Sequence, residues 1–187
     1  MKKLLLLAAG LTSYFTSAQA LHMQNLSKYN IEFTIWKSNL GSPSTGCTPL
    51  IESKLVAGTV PILPASPDPG NIAVEAYYEG NVNLSNTFNP LYPDTPLIDG
   101  WIFNGTQYNL GVNPPQQIPV IFSNVTTWTG SKFYLRTPAG DPIGGFTMFI
   151  GCGGPSNGVP NVSSSDPAQP FNGTVFMLGG DTWMIFY

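Results

Sequence analysis

From Tyr29 to Trp36 the sequence YNIEFTIW alternates, with Tyr29, Ile31, Phe33 and Ile35 on one face. Asn30, Glu32, Thr34 and Trp36 take the other, and this period of two predicts a half-buried strand. Similar short runs follow at 52–56, 72–78, 97–103, 106–110, 118–123, 132–137, 146–150, 174–178 and 182–187. Clusters of Gly, Pro, Asn and Ser separate them, and no window sustains helical spacing. About ten short strands with turn signals between them predict an all-β fold, a single-domain antiparallel β-sandwich of immunoglobulin-like or jelly-roll type.

One stretch nearly repeats. Phe103-Asn104-Gly105-Thr106 returns as Phe171-Asn172-Gly173-Thr174, each copy leading into further apolar residues. Asn-Gly is the strongest short hairpin signal because both residues accept positive φ, so each copy is expected to turn a hairpin.

Composition agrees with this reading. Only 9% of the 187 residues are charged, while 20 Gly and 18 Pro argue against long helices. An acidic chain with so few Lys and Arg cannot neutralise phosphates, which excludes nucleic acid as a partner.

The first 20 residues read as a leader. Lys2 and Lys3 precede an apolar run from Leu4 to Leu11, and the segment ends in Ala18-Gln19-Ala20. A basic head, a short apolar stretch and an A-x-A end predict a secretory signal peptide over 1–20, cleaved near Ala20, with the β-sandwich over 21–187. The run is too short to span a bilayer, so no membrane span is expected in the mature chain. Destination is therefore secretion, to the periplasm or outside the cell. The mature chain keeps five basic and ten acidic side chains, a net charge of −5. Two cysteines, Cys47 and Cys152, stand 105 positions apart. In an oxidising compartment they are expected to pair, closing a loop worth about 4–5 kcal/mol.

Candidate chemistry is sparse. His22, the only histidine, falls at the start of the mature chain, where a frayed terminus would not hold a catalytic imidazole. Cys and His are too few for a zinc site. Loop oxygens at Ser66–Asn71 and Asp141 fall short of the six to eight that Ca²⁺ takes, so neither metal nor cofactor is expected. The catalytic reading is a small jelly-roll glycoside hydrolase using Glu75, in the middle of its strand, with Glu32 as second carboxylate. Small jelly-roll glycosidases resemble the chain in size, low charge and ring-rich strands.

Binding suits the composition better. Trp36, Tyr77, Trp101 and Trp128 are the candidate rings, placed on polar strand faces or beside turns and flanked by Asn, Thr and Gln. The expected role is non-enzymatic binding of a glycan or another cell-envelope component. Fimbrial and adhesin subunits resemble the chain in being small, exported, charge-poor sandwiches with one disulfide, although their cysteines pair over much shorter separations.

Overall fold

The computed structural model describes residues 19–110, 117–152 and 158–187. The expected signal peptide lies, up to Ala18, outside the described residues. Twelve strands follow in order: β1 (Leu21–Asn25), β2 (Asn30–Ser38), β3 (Leu50–Ser53), β4 (Ile62–Leu63), β5 (Val74–Tyr78), β6 (Gly100–Phe103), β7 (Thr106–Asn109), β8 (Thr127–Arg136), β9 (Pro142–Phe149), β10 (Asn161–Ser163), β11 (Asn172–Leu178) and β12 (Asp181–Phe186). A helix, α1 (Gln117–Val125), precedes β8.

The strands form two sheets packed as a sandwich. The smaller sheet has the order β10-β11-β12-β1-β5; the larger runs β7-β6-β3-β2-β8-β9, with β4 beside the start of β2. All ladders are antiparallel except β1 with β12. Alternation decides what is inside. Leu21 and Met23 of β1, Ala76 and Tyr78 of β5, and Met184 and Phe186 of β12 meet Ile31, Phe33 and Ile35 of β2 and Phe133 and Leu135 of β8 in one core. Trp101 and Trp128 fill its far end, 5.8 Å apart.

Cys47 and Cys152 form a disulfide, with Cα atoms 5.4 Å apart. Strands β2 and β9 flank β8 and run the same way, so the bridge clamps the two chain segments that leave one end of the larger sheet. Ser38 Oγ donates to the Cys152 carbonyl at 2.9 Å beneath it.

Three expectations are corrected. Residues 118–123 are helical: Pro119 lies in the first turn of α1, where its missing N–H has no intrahelical partner to lose. The segment that carries His22 is not frayed, because β1 is inserted between β5 and β12 and hydrogen-bonded on both edges. The Asn-Gly echo is local. Asn104 and Gly105, with φ of 47° and 86°, do turn β6 into β7, but Asn172 and Gly173 lie inside β11. The hairpin between β11 and β12 turns instead on Gly179 and Gly180, with φ of 66° and 98°. Gly173 serves packing, since a Cβ there would come 2.8 Å from Met148 Sδ.

Candidate functional site

The outer face of the smaller sheet collects the polar and aromatic side chains that its alternation turns away from the core. Across the strands, Tyr77 of β5 pairs with His22 of β1, His22 with Trp183 of β12, and Trp183 with Phe176 of β11. One register therefore lines four rings in a row, all partly exposed. His22 and Trp183 stack with centroids 4.1 Å apart and an angle of 5° between planes. Tyr77 meets His22 edge-on at 5.1 Å, and Tyr92, from the loop after β5, covers Tyr77 at 4.8 Å and 12°. Rings stacked closely across neighbouring strands stand upright on the sheet and offer their edges.

Polar groups flank this row. On one side Gln24 Nε2 donates to Glu75 Oε1 at 2.7 Å, the two residues being cross-strand partners. On the other, Asp181 Oδ2 lies 3.4 Å from His22 Nε2. Burial pushes the Tyr77 phenol up to about 12, helped by the charge and hydrogen bond of Glu79 and by the charges of Asp181 and Tyr92. It stays a protonated donor at any physiological pH. His22, Gln24, Glu75, Tyr92 and Trp183 line a shallow hollow. Beyond the Tyr77–Tyr92 pair opens a cleft of about 220 Å³, walled by Glu79, Leu84, Phe88, Asn89 and Pro90. Phe88 and Leu91 project from the same loop, 61% and 82% exposed.

Of the predicted rings, only Tyr77 is on this surface. Trp36, Trp101 and Trp128 are buried, which corrects the expectation that they face a ligand. Trp101 Nε1 donates to Ser85 Oγ at 3.0 Å within the core. Trp36 does point to the outer side of the larger sheet, as alternation demands, but Phe149 covers it at 6.3 Å. Gly130, opposite Trp36 in register, makes room: a Cβ there would strike the Met148 carbonyl and the Phe149 ring.

Glu75 and Glu32 are in different sheets. Glu32 is 2.5 Å from Arg136 Nε, across the β2–β8 ladder. Glu79 follows the last residue of β5, four residues on from Glu75 and about 13 Å away at the rise of an extended chain. Asp181 is two strands away from β5 and four residues along β12 from Ile185, the position level with Glu75. None of Glu32, Glu79 and Asp181 thus stands at the spacing of about 5–10 Å from Glu75 that glycoside hydrolysis asks of two carboxylates.

Two groups that matter here escaped the sequence reading. Trp183 falls in the run at 182–187 but is not among the candidate rings, although its alternation with Thr182 and Met184 turns it outward. Lys37 follows the inward positions Ile31, Phe33 and Ile35 by the same step of two, and has no exposed surface. Its Nζ donates to the Gly80 carbonyl and, at 3.2 Å, to that of Ser123 near the end of α1, and lies 5.0 Å from the Trp128 ring centroid. Helix C-terminal carbonyls lack intrahelical donors, so an ammonium suits them. Burial lowers this ammonium to about 7.

Among the described residues no three His, Cys, Asp or Glu gather as metal ligands, and no helix is long and apolar enough to cross a membrane. Asp68 and Asp141 serve local turns, bonding Asn71 Nδ2 at 3.1 Å and the Thr137 hydroxyl at 3.3 Å. Compared with known proteins, the chain matches no family model, no curated protein and no solved structure.

Proposed function

We propose that this chain is an exported binding protein that holds a carbohydrate on the outer face of its smaller sheet. The observation that carries the reading is the cross-strand row Tyr77–His22–Trp183, partly exposed and bordered by Gln24, Glu75 and Asp181. Sugars present C–H patches beside hydroxyls, and such ligands suit aromatic edges set among carboxylates and amides. The neighbouring cleft under the 79–96 loop would extend the contact to a second sugar unit. Export is supported by the leader-like first 20 residues and by the disulfide, a bond that persists in oxidising compartments. A hydrolytic role for Glu75 is disfavoured by its separation from Glu32, Glu79 and Asp181.

The test is retention on a printed array of neutral and acidic oligosaccharides, followed by titration calorimetry with any sugar retained. Trp183→Ala and Glu75→Ala are each expected to weaken binding by about tenfold or more, the scale of one good contact. Failure of the unaltered protein to retain any sugar, or full retention by Trp183→Ala, overturns the reading.

A further inference from the structure

Ala20 belongs to the fold. It is buried, its N–H donates to Asp181 Oδ1 at 2.8 Å, and its carbonyl accepts the Thr182 N–H at 2.9 Å. Asp181 is also the carboxylate beside His22, so Ala20 is joined to the ring row through one side chain. Cutting after Ala20 would remove the acceptor of the Thr182 amide, at a residue with no exposed surface. A buried amide without a partner is costly. The same cut would turn the Leu21 amide into an ammonium at the first position of β1, also a buried residue. Two residues upstream the sequence offers other small side chains, Thr16-Ser17-Ala18, in the pattern a leader-removing protease reads.

Resting on the export reading above, we propose that maturation cleaves the peptide bond between Ala18 and Gln19, so that Gln19 becomes the first residue and Ala20 is retained. Water adds at the Ala18 carbonyl carbon and the C–N bond breaks, leaving a carboxylate on Ala18 and an ammonium on Gln19. Gln19 is only partly buried, so the new charge keeps its contact with water. A terminal glutamine can then cyclise, its α-amine attacking its own side-chain amide carbon and expelling ammonia.

The experiment is to produce the full chain with its own leader in a bacterial host and to record intact mass and N-terminal sequence of the purified protein. The expected product is 19–187, with or without loss of one ammonia. A product of 21–187 overturns this proposal and leaves export standing, whereas unprocessed chain held in the cytoplasm overturns both. As an independent check, chains made to start at Gln19 and at Leu21 are compared by thermal unfolding. The shorter chain is expected to melt several degrees lower, and equal midpoints would overturn the argument from Ala20.

Discussion

The two sheets turn very different surfaces outward. On the larger one, charge is settled between protein groups: Glu32 meets Arg136 across β2 and β8, and the Lys132 ammonium lies 5.3 Å from the Tyr134 ring centroid. On the smaller one, Glu75 and Asp181 are met by an amide, a backbone N–H and an imidazole rather than by Lys or Arg. A surface whose charged groups are already met by protein groups, as Glu32, Arg136 and Lys132 are, has less to offer a ligand. Carboxylates not met by Lys or Arg keep lone pairs for a ligand, and the ring row places apolar edges between them. The same alternation of side chains builds both faces, so the difference lies in which residues occupy the outward positions.

The comparison can be pressed hardest through stability. Cys47→Ser with Cys152→Ser opens the clamp on the larger sheet and is expected to cost about 4–5 kcal/mol in denaturant unfolding. Folded protein should still bind through the opposite sheet. Loss of binding in the fraction that remains folded would show that the two faces are not independent. Next in size, Trp101→Ala should cost about 3–5 kcal/mol, as for other large core deletions, whereas Trp183→Ala should cost about 1 kcal/mol or less. Equal costs would make Trp183 a core residue and dissolve the distinction between row and interior.

Lys37 gives a pH signature confined to the larger sheet. Folded protein releases this proton near pH 7, while the unfolded chain keeps it to about 10.5. Between these values the unfolded state binds more protons, so stability rises with pH from about 7. Above about pH 10 the phenols of Tyr77 and Tyr78, held up by burial, pull the other way. Lys37→Met should abolish the rise, read as equal urea midpoints at pH 7 and 9.5. A variant that keeps the rise would assign it elsewhere. The smallest effect belongs to Arg136→Ala, expected at under about 1 kcal/mol for a pair this close to solvent, with sugar retention unchanged.

Much of the fold was legible because alternation is a local signal. Tyr29–Trp36 named β2 and its inward residues, and the two cysteines announced their bond. What failed depended on residues distant in sequence. Trp36 shows the point: its outward direction is readable, but the Phe149 ring that covers it arrives with β9, placed by a ladder to β8. The site was hidden for the same reason. Tyr77, His22 and Trp183 belong to three separate segments, and only the insertion of β1 between β5 and β12 makes them neighbours. The helix was missed because a short apolar run such as 118–123 reads as a strand as readily as a helix turn, although Ile118, Ile121, Phe122 and Val125 carry helical spacing.

The parallel pairing of β1 with β12 also governs when the chain can finish folding. One edge of β1 bonds to residues 182–186, more than 150 positions further on, so this sheet closes only after nearly the whole sequence has emerged from synthesis. Contacts so remote in sequence form slowly. Under the export proposed above, the polypeptide threads through a narrow translocation channel and must stay unfolded on the way. Here the order of the strands delays closure of the smaller sheet until the late segment has arrived.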